Sequence, residues 1–438
     1  MKKVDFLLLY EYRTRELDSM CLLKCELEKR GYSVAMSNII FFNIGKIYNE
    51  ILAKVIIVPY FYDENNIDIL LDNFKHRFDF NIVNMQSEQV LNNSTRDSGY
   101  YDIRGAARNA YHVCWGNSEK QFLISNGIKE SKCLCTGSVN TDFDRLEFRT
   151  YFLSRDEISA QFNLNLNSNW VLFISSFSYT TLTTDELQEI KTRTNFSDAD
   201  EFTRWSIKSK EKILEWIEKY LIKNSDITFI YRPHPSERSD KALIDLEKKY
   251  NNFRVICDYS IQQWIISSNV ICNWFSTSFA DAYFINKPCY LIRPLIIPEN
   301  FEVDILHGIP TISTFEEFSE YCCGEIREVP KAVSDKMSSF YIFDNYPSYK
   351  KLCDELIKIL ETNTFEFRTK GTGSFVKNIM KSLINTISTK ICIANLVGTK
   401  NKNFYRMMFK ENHRILDEIE FHETKIKSII NNEYEEEE

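Results

Sequence analysis

Two rhythms of apolar residues alternate along this chain: short unbroken runs, and residues recurring every three or four positions. Val4–Tyr10 is a run of the first kind and predicts a buried strand, while Leu17, Met20, Leu23 and Leu27 recur at helical spacing within Arg13–Arg30. Gly31 closes that helix and Tyr32–Met36 begins a second strand. Lys54–Tyr60, Phe80–Met85, Tyr111–Trp115 and Lys132–Thr136 are further short apolar runs, with helical segments between them. Near-continuous apolar strands alternating with helices predict a parallel, doubly wound sheet covered on both faces.

A polar, helical connector at about Thr150–Ser168 interrupts the pattern, which then restarts. Trp170–Ser175, Ile227–Tyr231, Arg254–Cys257, Val270–Asn273 and Cys289–Ile292 read as strands. Helices fit Asp200–Lys223, Asp240–Tyr250, Ile261–Ser267 and Ser278–Ile285. The expectation is an α/β protein of two similar halves with a cleft between them: a domain over 1–150, another over 166–365, and a helical extension over 366–438. The extension is basic and then acidic, and its acidic end, 433–438, reads as a solvated tail.

Composition narrows the class. The chain has 438 residues, too many for one ordinary core. A net charge of −8 argues against a general nucleic-acid binder, which needs a basic balance. No cationic leader with an apolar core opens the sequence, so a cytoplasmic location is expected. Of the 12 cysteines none forms a Cys-x-x-Cys pair. Cys114, Cys257, Cys272 and Cys289 fall inside apolar strands, where a reduced thiol behaves as a small hydrophobe.

From Phe367 to Lys410 there is no Asp or Glu, yet nine lysines and arginines. Within this stretch Phe375–Val397 is largely apolar, interrupted by Lys, Ser, Thr and Asn. A basic amphipathic helix of this type suits an anionic membrane surface, which would make the protein peripheral at the inner face of the cytoplasmic membrane. The competing expectation is a helix packed back across the domains with solvated lysines.

Two stretches carry candidate chemistry. In Thr228-Phe229-Ile230-Tyr231-Arg232-Pro233-His234-Pro235-Ser236-Glu237 an apolar strand ends abruptly in a cation, an imidazole and two prolines. The prolines cannot extend a sheet, so the chain turns there and holds Arg232 and His234 at the strand's carboxyl end. In open α/β sheets ligands bind at that edge, and a guanidinium beside a histidine suits a phosphate. In Asn273-Trp274-Phe275-Ser276-Thr277-Ser278-Phe279-Ala280-Asp281-Ala282 another strand ends in hydroxyls at a helix start. Ser276, Thr277 or Ser278 is expected to cap that helix, as a plain N-cap or as part of an anion site. Lying about one α/β unit apart, the two stretches are expected to clasp one phosphate together.

Tyr231–Glu237, Ser276–Ser278 and Asn286-Lys287-Pro288 resemble the C-terminal half of GT-B glycosyltransferases of bacterial surface carbohydrate biosynthesis. The pairing is also similar to the His-Pro and Ser/Thr motifs of sialyltransferases and capsule transferases. Leu7–Leu17, Asn84-Met85-Gln86-Ser87-Glu88-Gln89, Cys114-Trp115-Gly116 and Thr136-Gly137-Ser138 resemble segments of that family's N-terminal half. Ser138 stands where Asn is commoner, and Phe279–Ile285 is bulkier than the family's small-residue helix.

The resemblance implies two Rossmann-like domains facing across a cleft, the first holding the acceptor and the second a nucleotide sugar. That nucleotide sugar is a substrate, so no cofactor is expected. Arg232, His234, Glu237 and Ser276–Ser278 would bind the donor phosphate side, with His234 also able to deliver a proton to the departing phosphate. Ser176, Phe177, Ser178 and the Trp264 region would wall the base and ribose. Glu11, Arg13 and Gln86 would meet the acceptor. Glu88 is favoured as the catalytic base and Glu11 is its rival, with Asp97 behind them; pairing with Arg13 or Arg15 is the plain alternative for either. His112 and His307 read as structural. Asp142 and Asp144 share a metal-binding spacing but follow a turn, where they would orient a loop, and metal independence is expected.

The expected activity is therefore transfer of a sugar from a nucleotide-activated donor to a hydroxyl of a surface polysaccharide or lipopolysaccharide. A CMP-sugar such as CMP-Kdo or CMP-sialic acid is favoured over a UDP-sugar. Two alternatives stand beside it: a CDP-glycerol-type phosphotransferase of teichoic-acid-like synthesis, and an inactive scaffold of the same fold in a capsule assembly complex.

Overall fold

The computed structural model describes every residue except 64–69, 90, 100, 195, 239, 325–330, 393–401 and 433–438, so the expected acidic tail and Lys400 lie outside the described residues. The chain forms two compact units, one of Met1–Gln89, Ile103–Asp142 and Ser339–Glu438, the other of Val90–Asp102 and Phe143–Ser338. The helical segments after residue 339 thus belong with the N-terminal strands.

In the first unit the strands are β1 (Lys2–Tyr10), β2 (Val34–Asn38), β3 (Ile51–Val58), β4 (Asp79–Asn84), β5 (Tyr111–Cys114) and β6 (Cys133–Cys135). They pair in the order β2-β1-β3-β4-β5-β6, all parallel. Leu7, Leu8 and Leu9 are all buried, as a strand covered on both faces requires. The Arg13–Lys29 helix buries Leu17, Met20, Leu23 and Leu27. Each such side chain contributes about 1.5–3 kcal/mol when removed from water.

Gly116 and Gly137, in the two turns after β5 and β6, let the returning chain pass close. A Cβ on Gly116 would meet the Phe340 carbonyl at 2.5–2.6 Å, and one on Gly137 the Ser348 hydroxyl at 2.3 Å. Asp142 then accepts from the main-chain N–H of Ser348 at 3.0 Å and of Tyr349 at 2.7 Å. It thereby satisfies the open N-terminus of the Ser348–Glu361 helix. Expected to orient a loop, this carboxylate anchors a helix.

In the second unit β7 (Asn169–Ile174), β8 (Ile227–Arg232), β9 (Phe253–Val255), β10 (Val270–Asn273), β11 (Cys289–Ile292) and β12 (Thr311–Ile312) pair in the order β12-β11-β10-β7-β8-β9, again all parallel. The fold class is therefore the expected one: two α/β domains, each on a doubly wound parallel sheet. The core of this unit is aromatic, with Phe177 stacked on Trp274 at 4.0 Å and Trp274 on Trp205 at 4.8 Å.

Three details depart from expectation. β9 stops at Val255, and Cys257, expected inside the strand, is exposed. The cause is local: the carbonyls of Ile256, Asp258 and Tyr259 accept from the Arg232 guanidinium. β12 and β13 (Phe367–Arg368, antiparallel to β4) are only two residues each and leave no periodic trace.

Candidate functional site

The sheet of the second unit reverses its direction of growth between β7 and β10, the kind of switch point at which open α/β sheets bind ligands beyond the carboxyl ends of their strands. Register makes the neighbourhood explicit. Asn273 of β10 lies opposite Ile174 of β7, and Ile174 opposite Arg232 of β8. The segments after these residues therefore leave the sheet side by side. They carry Ser176–Ser178, His234–Glu237 and Ser276–Ser278, so the sequence-predicted donor residues share one edge.

Their side chains do different things. His234 is half-buried, and its Nδ1 accepts from the Ser236 main-chain N–H at 3.2 Å, with the Ser236 hydroxyl 2.7 Å away. A nitrogen that accepts from an amide carries no proton, so the neutral imidazole bears its hydrogen on Nε2. Glu237 folds back beneath the strand, its side chain wholly buried. It accepts from Tyr231 Oη at 2.8 Å, from Lys210 Nζ at 3.0 Å, from the Ser175 hydroxyl, and from the His234 main-chain N–H at 3.3 Å. Expected at the donor, Glu237 instead clamps the turn that presents His234.

Arg232 is also redirected. It is buried, its pKa is drawn down to about 10 by desolvation, and its guanidinium donates to the three carbonyls of the 256–259 turn. Tyr259 in that turn has φ 62°, a left-handed conformation that costs a non-glycine residue energy. Arg232 holds the turn in place. Phe177 and Trp264 are buried too, the first stacked on Trp274 and the second donating from Nε1 to the Asp258 carbonyl at 2.7 Å. Both are core residues. Ser176 and Ser178 are half-buried.

Ser276, Thr277 and Ser278 are half-buried in a turn closed by Asn273, which accepts from the Ser276 N–H at 2.8 Å and donates to its carbonyl at 2.6 Å. Ser276 Oγ donates to Ser278 Oγ at 3.1 Å and accepts from the Ser278 N–H at 3.2 Å. Ser278 occupies the N-cap position of the Phe279–Phe284 helix without a side-chain cap bond. Asp281, unremarked in the sequence, stands buried behind it. Desolvation lifts its pKa to about 7, opposed by hydrogen bonds from Gln262 (2.9 Å) and Ser278. The spacing Ser278-x-x-Asp281 was the available signal.

In the first unit the edge after β1 and β4 gathers carboxylates around one guanidinium. Arg15 bonds Glu16 at 2.7 Å, pairs with Glu88 and lies 3.7 Å from Glu11. Glu11 is mostly buried; desolvation, then Glu16, raises its pKa to about 7, with Arg15 opposing and Glu88 and Glu411 adding to the rise. Glu88 is 45% exposed. Arg13, expected at the acceptor, is held by the C-terminal helices: its guanidinium donates to the carbonyls of Lys410 and His413 and pairs with Glu418, while its N–H donates to Glu411.

Gln86 is buried with φ 48° and donates from Nε2 to Glu119, a second carboxylate that desolvation lifts to about 7. Neither Gln86 nor Arg13 offers a side chain to an acceptor in this arrangement. His112 is structural as expected, bonded to Asn84 and Ala107, with burial drawing its pKa to about 4. His307 and Asp97 are exposed.

No family model matches the sequence, and no curated protein does. Solved structures to which the chain is similar include the wall teichoic acid polymerase TagF (11% identity, TM-score 0.47, covering 82% of this chain and 89% of that one). Another is MnaA of S. aureus in complex with UDP (12%, TM-score 0.49, 84% and 100%). A third is the UDP-GlcNAc 2-epimerase of Methanocaldococcus jannaschii (14%, TM-score 0.47, 83% and 100%).

Proposed function

We propose that this protein is a glycosyltransferase that moves a sugar from a nucleotide-activated donor to a hydroxyl of a bacterial surface polysaccharide or lipopolysaccharide. The observation that carries the reading is the Ser236 main-chain N–H on His234 Nδ1, which leaves Nε2 as the proton-bearing nitrogen at the carboxyl edge of a doubly wound sheet. In the proposed step the acceptor oxygen gives its proton to a carboxylate base and bonds to the sugar's anomeric carbon. The bond from that carbon to the donor phosphate breaks, and its electron pair leaves with the phosphate. His234 Nε2–H and the hydroxyls of Ser276, Thr277 and Ser278 meet the charge that develops there. Ser176 and Ser178 are assigned to the ribose.

With Arg232 committed to carbonyls and Arg238 paired with Glu186, the cluster brings one imidazole and several hydroxyls to the phosphate. That inventory suits the one charge on a CMP-sugar's phosphate better than the two on a UDP-sugar's diphosphate, so CMP-Kdo and CMP-sialic acid are the first donors to test.

The experiment is incubation of the protein with CMP-sugars, UDP-sugars and CDP-glycerol, reading the nucleotide released and the product mass. The expected result is CMP together with a product heavier by one sugar, lost in His234→Ala. A product heavier by glycerol phosphate would assign the phosphotransferase chemistry instead. If no nucleotide raised the melting temperature, the donor site itself would be refuted.

A further inference from the structure

The Phe375–Ser388 helix is mounted with its polar side inward. Asn378 Nδ2 donates to Asn49 Oδ1 at 3.0 Å and to the Asn73 carbonyl at 3.1 Å; Asn385 Nδ2 donates to the Phe41 carbonyl; and Ser388 Oγ accepts from Asn412 Nδ2 at 2.6 Å. Asn378, Asn385 and Ser388 are the buried residues of this helix. Gly45 lets the helix come close, since a Cβ there would stand 2.3 Å from the Asn378 carbonyl oxygen.

The opposite side is apolar and faces out. Phe375, Ile379, Leu383 and Ile387, one turn apart, are joined by Val376 and Met380 and continued by Ile391. All seven are between 39% and 65% exposed. Water offers no reason to mount a helix this way, and a contiguous apolar stripe marks a surface that something else covers. The charges around it indicate what. No acidic residue occurs between Phe367 and Lys410. Arg368 and Lys370 are paired with Asp79 and Asp72, while Lys377 and Lys390 beside the stripe, and Arg406 and Lys410 on the next helix (Lys402–Asn412), are exposed.

We propose that the outward face of the Phe375–Ser388 helix docks in the plane of an anionic lipid surface, its aliphatic stripe among the acyl chains and its lysines against the headgroups. Among the described residues no helix is long and apolar enough to cross a membrane, and docking in the plane requires none.

The test is co-sedimentation of the full chain with vesicles of phosphatidylcholine alone and of phosphatidylcholine with phosphatidylglycerol at about three to one. Binding to the anionic vesicles is expected to exceed binding to the neutral ones and to fall in high salt. Lys377→Glu with Lys390→Glu is expected to weaken it by at least about 20-fold, from roughly five-fold per lysine lost. Ile379→Ser with Leu383→Ser is expected to weaken it about ten-fold or more. All four side chains point outward, so melting temperatures should stay within a degree or two of the parent. Equal binding to both vesicle types, or binding unchanged by the serine pair, overturns the proposal. So does a dimer abolished by the serine pair in a protein that ignores vesicles, because a second copy would then be what covers the stripe. The readout is binding, so it stands or falls apart from sugar transfer.

Discussion

Burial and pairing separate the two carboxylates that compete for the role of base. Glu88 is half-exposed and paired with Arg15, whereas Glu11 is mostly buried and desolvation lifts its pKa to about 7. A base works deprotonated, so kcat/KM should fall about ten-fold per pH unit below about 7. Glu11→Gln should cost roughly 10²–10⁴-fold in kcat. Glu88→Gln removes one negative neighbour and releases Arg15 towards Glu11, and both effects lower the Glu11 pKa. That variant should stay active while its acid limb moves to lower pH. Loss of activity in Glu88→Gln, with Glu11→Gln active, would reverse the assignment.

Arg232 illustrates a second lesson at this scale. Its place at a strand end was legible from the two prolines behind it. Its partners were not, because main-chain carbonyls of a turn some 25 residues later have no signature in the sequence. Arg232→Met should therefore act on stability, leaving buried carbonyls without donors at a cost of about 3 kcal/mol. Calorimetry should show a melting temperature lower by roughly 10 °C.

At the scale of elements, the apolar strands of four residues or more were plain in the sequence. Val270–Asn273 and Cys289–Ile292 form over the expected residues because each is covered on both faces and bounded by turn residues. What failed to show were two-residue strands, too short to carry a period, and the premature end of β9, imposed by Arg232. Asp142 likewise joins the turn after β6 to a helix 206 residues further on, a link no local pattern announces. Removing it in Asp142→Ala exposes two buried N–H groups at that helix start. The expected loss is about 2 kcal/mol, measurable as a lower denaturant midpoint with unchanged slope.

For the whole molecule, both units keep a buried carboxylate bonded by a glutamine amide, Glu119 with Gln86 and Asp281 with Gln262. Both have pKa values raised to about 7 from the ordinary carboxylate range. In the folded state each holds its proton more tightly than in the unfolded chain. Their stabilising contribution is therefore complete below about pH 4 and is lost as pH rises through 7. Unfolding measured from pH 5 to 8 should show stability declining over that window. The double variant Glu119→Gln with Asp281→Asn should flatten the decline, and an unaltered slope would show that other groups set it. The candidate site was legible to a similar depth: its edge and residue types could be read, but which side chains face inward depends on burial, which only the fold decides.

The clasp on Arg13 also has a consequence for how the protein is made. The residue two places after Glu11 is held by Lys410, Glu411, His413 and Glu418. During synthesis the second unit has left the ribosome while these partners are still to be translated. The Arg13–Lys29 helix thus waits for partners made 397 residues and more after Arg13, and a nascent chain stalled before residue 410 would carry an unfinished first unit and a completed second one.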